Sequence, residues 1–498
     1  MDRACGRISE RIPGNRAEFY SPTGGDQFCG DRLCAHAGHR DPFARILSRM
    51  AQRLSGKQRF GYAFGSFGTG GFATVPGLVL LFYLTDVLGV AAAIASVVVF
   101  LPKAWDVIIA PVVGGMSDKT MIRTGSRAKW LLIGGLIIGP MFALTFAAPA
   151  ALQGNAAALW VGVFFLFAIT GFATFQVTYL ALPAEFTDDY SERTRIMSLR
   201  IIFLTLSILL FGAGAPILVK AFGSGRAGYA GMGIVVGILL VISTVVCWAI
   251  LRRARSYSQA ASEPTMSERV AAVKQNRWFL LLLVTFVLQA LGTGAMLAAV
   301  PYLATYILGG GELQQTLLFV CLVGPAIIVM PLWSRVSRGL GKQRGFLAAS
   351  AVFVIAAAGL FFSRSLPDAA VYVLVGMVGV AYAGMQMFPL AMLPDTVAAD
   401  AAQHGRQRAG VFTGVWAAAE TVSLALGPAI VGLILAATGF ISSAGGETVT
   451  QPGTALTGIV VAFGAFPALM MLCSLPTLFK YDLTENRLED LRGAHAAQ

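Results

Sequence analysis

Twelve stretches of this chain are each long and apolar enough to cross a lipid bilayer, at about 61–88, 91–117, 129–150, 156–184, 197–222, 228–251, 278–309, 313–334, 345–363, 369–393, 409–438 and 455–479. A spanning helix needs roughly 20 mostly apolar residues. In hydrocarbon every backbone N–H and C=O must be satisfied within the protein, which leaves helices as the structure such runs can adopt. The chain is therefore expected to be an all-α membrane protein. Hydrophobic residues make up 56% of it and charged residues 12%, far more apolar surface than a soluble core of this size could cover. The spans fall six and six around Arg252–Arg277, the longest polar connection between them, which contains RRAR, a Ser/Pro stretch and SERVAAVKQNR. This spacing predicts a polar tail over 1–58, a six-helix bundle over 59–252, a linker over 253–276, a second bundle over 277–480 and a short tail over 481–498.

The formal charge of +12 could suggest nucleic acid, but its placement excludes that reading. Basic residues cluster in alternate connections: Lys119, Arg123, Arg127 and Lys129; Arg193 and Arg195; the linker; Arg335, Arg338, Lys342 and Arg344; Arg406 and Arg408. The opposite connections hold only Lys220, Arg226 and Arg364. The positive-inside rule then puts both termini in the cytoplasm, with the basic loops against anionic lipid. Residues 1–49 are polar, with no apolar core of the kind a signal peptide has, and Met50 opens MAQRLSGKQRFGYAFG, which reads as a natural start just before the first span. Cys29, Cys34, His36 and His39 in that tail match none of the usual zinc spacings, so neither metal nor cofactor is expected.

Within the spans, the ionisable residues carry the functional signal. Lys103 and Asp106 lie one helical turn apart in the second span, and Glu420 lies in the eleventh. A charge near the bilayer centre costs at least about 2.5–3.5 kcal/mol, so such groups usually line a polar cavity or an ion path. That points to transport. With no Walker sequence, nucleophile elbow or HExxH, enzyme readings find no support.

Several motifs converge on one family. GYAFGSFGTG opens the first span and FYLTDVLG ends it; the second holds WDVIIAPVVGGMSDKTMIRTGSRAKW; the fourth ends in QVTYLALPAEFTDDYSERTR, with MSLR heading the fifth; the tenth runs into MFPLAMLPDTVAADAAQHGRQRAGVFTG and then ETVSLALGPAIVGLIL. Over about residues 58–480 the chain resembles the glycoside–pentoside–hexuronide cation symporters, the melibiose-permease-like branch of the major facilitator superfamily. The resemblance implies two pseudo-symmetric six-helix bundles around a central cavity that opens alternately to each side. Three charged connections suit a cytoplasmic gate: the expected loop Gly114–Lys129 with Asp118, Arg123 and Arg127; Glu185, Asp188, Asp189, Arg193 and Arg195; and Asp395, Asp400, Arg406 and Arg408.

The binding residues depart from the family pattern. Where melibiose-type permeases carry a sugar-binding acid on the first span this chain has Gly70, preceded by Thr69 in place of a lysine. The second sugar-binding acid aligns with Gln176 and the aromatic platform with Leu180. One cation-site aspartate is kept as Asp106 and the other is Ala110; the lysine of the eleventh span falls on Thr421, beside Glu420; Arg200 is retained. The expected substrate site is Arg200, Gln176, Tyr179, Tyr62, Gln289, Gln386 and Trp416, groups able to make hydrogen bonds and stacking contacts without the two carboxylates. Asp106, Glu420 and Lys103 are the expected coupling residues. Losing an aspartate removes charge and an oxygen ligand from a sodium site, whereas a proton needs one titratable group. The reading that follows is a monomeric, proton-coupled symporter of a small sugar-like solute in the bacterial inner membrane. The alternatives are a carrier of an amphipathic, lipid-like solute and a non-transporting membrane scaffold.

Overall fold

A computed structural model describes residues 55–186, 190–252, 266–404, 408–444, 449–484 and 487–491. All twelve expected spans are present as helices: α1 Gly56–Val87, α2 Ala92–Thr124, α3 Ala128–Phe146, α4 Gly154–Phe186, α5 Tyr190–Ala221, α6 Gly225–Leu251, α7 Arg277–Ile307, α8 Glu312–Leu340, α9 Lys342–Leu360, α10 Asp368–His404, α11 Ala409–Ala437 and α12 Gly453–Phe479. The expected linker ends in a short helix, Met266–Gln275, whose Asn276 then caps α7 by accepting the Phe279 N–H at 2.9 Å. Large apolar side chains such as Leu101, Ile108, Ile202 and Ile328 face outward, as lipid requires.

Helix ends differ from the sequence expectation at the charged face. Helix α2 continues to Thr124, so the connection expected over Gly114–Lys129 shrinks to Gly125–Arg127, with Gly125 at φ +68° stopping the helix. Helix α10 runs through Pro389 and Pro394 and carries Asp395 and Asp400 on helix rather than loop. Polarity marked the membrane boundary in the sequence, but the helices extend beyond it.

Helix α1 packs on α5 and α6, and α3 on α4 and α6; α7 packs on α11 and α12, and α8 and α9 on α10. The two six-helix halves meet along α2 with α11, α5 with α8 and α1 with α7. The glycines of α1 explain its close seating. A Cβ at Gly70 would lie 2.8 Å from Ser207 Oγ and 3.0 Å from the Leu204 carbonyl oxygen. Ser207 Oγ donates to the Phe67 carbonyl at 2.5 Å, and Ser243 Oγ donates to the Phe64 carbonyl at 2.7 Å while accepting the Gly68 N–H at 2.9 Å. Two serines thus bind the backbone of the first span directly.

The last turns of α1 and α7 repeat each other. Tyr83–Val87 and Leu303–Ile307 are both π-helical; Leu88 N–H bonds the Tyr83 carbonyl as Leu308 N–H bonds that of Leu303, and both segments end on a left-handed glycine, Gly89 at φ +68° and Gly309 at φ +62°. In this register Phe82 is equivalent to Tyr302, and Asp86 to Tyr306. Both equivalent pairs are in contact: the Phe82 and Tyr302 rings are 5.1 Å apart, and Tyr306 Oη hydrogen-bonds Asp86 Oδ1. Equivalent residues of two repeats meet only near their common axis, so this end of the molecule lies on the pseudo-two-fold.

The two ends of the molecule are held differently. Among the described residues, every side-chain hydrogen bond between the halves lies at the end carrying residues 88–91, 222–224, 308–311 and 441–444. Besides Asp86–Tyr306 these are Thr85–Tyr302 (2.7 Å), Ser224–Glu312 (2.6 Å), Thr316 to the Ala213 carbonyl (3.2 Å), Ser442 to the Val90 carbonyl (2.8 Å) and Ser443 to the Asp86 carbonyl (3.0 Å). At the opposite end, where the described chain begins, the ion pairs among the described residues stay within one half. The halves are closed together at the first end, termed outer below, and among the described residues no such bond joins them at the inner end.

Candidate functional site

Between these ends, each half presents one polar cluster. In the first half, α1 and α4 stack Tyr62 on Tyr179 with ring centroids 4.4 Å apart, and the Arg200 guanidinium of α5 lies 5.8 Å from the Tyr179 ring. The Tyr179 hydroxyl is already engaged by the Tyr62 carbonyl and Ser66 Oγ, each at 2.6 Å. With its ring also buried against Tyr62 and Phe175, Tyr179 shapes the wall behind Arg200 and does not offer its hydroxyl to a solute. Gln176 lies one turn before it on α4.

In the second half, a pocket is lined by Phe286, Gln289, Tyr382, Gln386, Glu420 and Leu424, with a volume of about 40 Å³. That suffices for one or two waters but not for a solute, so a solute would need the facing half as its other wall. Gln386 donates to Tyr382 Oη at 2.7 Å, and Trp416 stacks on Phe286 at 4.2 Å. Gln289 reaches Ser350 and Ser474 at 3.4 Å each, tying α7 to α9 and α12. Among the described residues Glu420 makes no ion pair, and it feels the Arg200 guanidinium of the other half from beyond bonding distance.

Most of the unpartnered buried atoms among the described residues belong to these two clusters, while Ser363 Oγ and Tyr481 Oη lie apart from them. Tyr62 Oη, Gln176 Oε1, Arg200 Nε, Gln289 Oε1 and Trp416 Nε1 are buried with no hydrogen-bond partner in the protein. Each such group costs about 1–3 kcal/mol when nothing satisfies it. The two halves therefore hold a set of donors and acceptors suited to a small polar molecule, with a cation on one wall and a carboxylate on the other.

Lys103 and Asp106 both lie on α2 and are partly exposed, but they form no ion pair with each other. The neighbouring Trp105 indole N–H is held by Thr170 Oγ1 at 3.1 Å, fixing α2 to α4. Thr421 spends its hydroxyl on the Ala417 carbonyl of its own helix at 3.0 Å. Gly70 has no room for the acid of the melibiose pattern, because α5 occupies that space.

At the inner end, Arg127 pairs with Asp118, contacts Glu185 at 2.5 Å and donates to Ser117 Oγ at 2.8 Å. Asp395 is held by Lys342 at 2.5 Å, and Arg408 grips Asp400 through two nitrogens at 2.6 and 3.0 Å. Arg123 and Arg195 are exposed and form no ion pair among the described residues. Arg406 and the side chain of Arg193, like Asp188 and Asp189, lie outside the described residues. The expected gate charges thus brace helices within each half in this conformation. Sequence reasoning missed Tyr382, Lys342 and the Asp86 cluster; the acid inside the apolar run FYLTDVLG was the available signal for the last.

Comparison with known proteins places the fold and the family. Residues 61–485 match the model of the MFS/sugar transport protein family. An uncharacterized symporter of Synechocystis sp. is 25% identical, over 89% of this chain and 97% of its own length. The isoprimeverose transporter of Lactiplantibacillus pentosus is 23% identical over 89% and 92%, and the sodium-dependent lysophosphatidylcholine symporter 1 of Gallus gallus 24% over 75% and 77%. Among solved structures, a bacterial homologue of the human lysosomal transporter Spinster, in an inward-facing and occupied conformation, shares the fold with a TM-score of 0.58 at 11% identity, covering 92% of this chain and 97% of that one. The chain is a multi-pass membrane transporter and not an enzyme, and it belongs to the MFS/sugar transport protein family of the major facilitator superfamily.

Proposed function

We propose that this protein is a proton-coupled symporter of a small, sugar-like organic solute, working as a monomer in the bacterial inner membrane with both termini cytoplasmic. The observation that carries this reading is the placement of Arg200 and Glu420 on opposite halves, with no ion pair among the described residues, beside five of the buried polar atoms that lack partners. A hydroxylated solute would satisfy those atoms and bridge the halves. Relatives named as symporters and sugar carriers support the reading. With the termini inside, the closed outer end makes this conformation inward-facing.

Proton coupling rests on oxygen supply. Sodium needs several oxygen ligands; Ala110 offers none, and the Thr421 hydroxyl is bonded to its own helix. Asp106 and Glu420, each without an ion-pair partner, can take up and release a proton instead. Transport by purified protein in vesicles tests this. An imposed pH gradient should drive accumulation of a sugar or uronate, and replacing sodium by potassium at constant pH should change nothing. A strict sodium requirement would overturn the coupling. If lysolipids alone, from a panel of sugars, uronates and lysolipids, raise the melting temperature, the amphipathic reading replaces the sugar-like one.

A further inference from the structure

Asp86 is a buried carboxylate, 2% exposed, that the site above does not use. It has no basic partner among the described residues and is satisfied by hydroxyls: Tyr306 Oη on one oxygen and Thr85 Oγ1 at 2.5 Å on the other. Thr85 Oγ1 meets Tyr302 Oη of the opposite half at 2.7 Å. Backbone from the α11–α12 connection covers the pair, with Ser443 N–H on the Thr85 carbonyl at 3.0 Å and Ser443 Oγ on the Asp86 carbonyl at 3.0 Å.

We infer that Asp86 and Tyr306 are the latch of the outer gate, positioning residues that set how readily the transporter opens outward. They occupy equivalent places on the two repeats and meet near the axis relating them, where one half contributes the acceptor and the other the donor. Alternating access rocks one bundle against the other around a central site. Opening the outer end pulls the last turn of α1 from that of α7, so this bond must break in every cycle. While the gate is shut the carboxylate depends on those two hydroxyls for its stabilisation; once it is open, water replaces Tyr306. Removing one partner of a buried bond leaves the other group unsatisfied while the gate is shut, which gives a single hydroxyl leverage over the equilibrium between the two conformations.

The test needs no knowledge of the solute. Spin labels on cysteines introduced at the exposed outer positions Ala151 and Ser365, one in each half and in a chain whose native cysteines are replaced, report the distance across the outer end. Tyr306→Phe removes one oxygen, and Asp86→Asn keeps the side chain's shape; each should raise the ratio of outer-open to outer-closed protein by roughly tenfold or more. The double variant should match the stronger single one, because both changes act on one bond. Distance distributions that stay as in the wild type in both variants, or shifts that multiply in the double variant, would overturn the latch. Should one variant fail to fold, the other still decides the matter.

Discussion

Asp106 and Arg200 illustrate how much one residue can decide in a membrane interior. Asp106→Asn should abolish uphill uptake while leaving exchange of solute across the membrane partly intact, since only the ion-driven step requires the ionised form; wild-type accumulation in this variant would remove Asp106 from the coupling. Arg200 offers a fixed fork of donors that lysine cannot copy. In Arg200→Lys, solute affinity should fall by about tenfold or more, with the melting temperature of the solute-free protein nearly unchanged because Arg200 makes no ion pair among the described residues; equal loss in both measurements would make its role structural. At Gly70 the test concerns packing. Gly70→Ala should destabilise by about 1–3 kcal/mol as an overpacked contact, and adding Ser207→Gly should restore only part of it, because the Leu204 carbonyl oxygen remains 3.0 Å away. Residue types were legible in the sequence, as with Arg200 and Glu420, but their pairings were not. Tyr179 is a plausible hydroxyl ligand until the fold shows its hydroxyl bonded to the Tyr62 carbonyl and Ser66.

Among the elements, hydropathy located all twelve spans, because a run of apolar residues and the bilayer thickness constrain each other. It misplaced the inner ends of α2 and α10, since a helix continues into water wherever its backbone bonds remain the best available. Those extensions carry the charges that brace each half. Arg127, with contacts to Asp118, Glu185 and Ser117, joins α2 to α4 across the short turn before α3. Its replacement by alanine should lower stability by roughly 1–3 kcal/mol, read as a lower melting temperature in detergent. Outside the spans, Asp482 clasps the segment after α12 to the start of α7. Partial burial works against its charge, but the Trp278 indole at 2.7 Å together with Arg277 and Arg487 outweighs it and holds the carboxyl below the usual carboxylate range. A depressed folded-state value means the clasp is fully present above the ordinary carboxylate value of about 3.9 and is lost as pH falls through its lower folded value. Proteolysis after α12 should therefore be slow at neutral pH and quicken as pH falls below about 3.9, and Asp482→Asn should cleave as readily at neutral pH as the wild type does in acid.

For the whole molecule, the placement of inter-half bonds at one end and intra-half ion pairs at the other defines the conformation. None of this was visible in the sequence, which fixes the membership of each half but not which end is shut. Leu88 and Ala444 form an antiparallel bridge across the halves, a spacing of about 4.5–5.5 Å between Cα atoms that a disulfide can span. Cysteines at these two positions should, once oxidised, stop turnover and recover it with reductant, while either single cysteine transports normally. Unchanged turnover in the oxidised pair would show that the outer end need not open there.

The meeting of Asp86 with Tyr306 near the pseudo-two-fold axis also bears on why both bundles share one polypeptide. Two copies of the first half, arranged about such an axis, would set aspartate against aspartate in a place with no counter-charge; two copies of the second would set tyrosine against tyrosine with no carboxylate between them. Only unlike halves bring a hydroxyl donor to a carboxylate acceptor at that point. Fusion guarantees the unlike pairing at every synthesis, so joining the two halves in one chain contributes to the chemistry of closure.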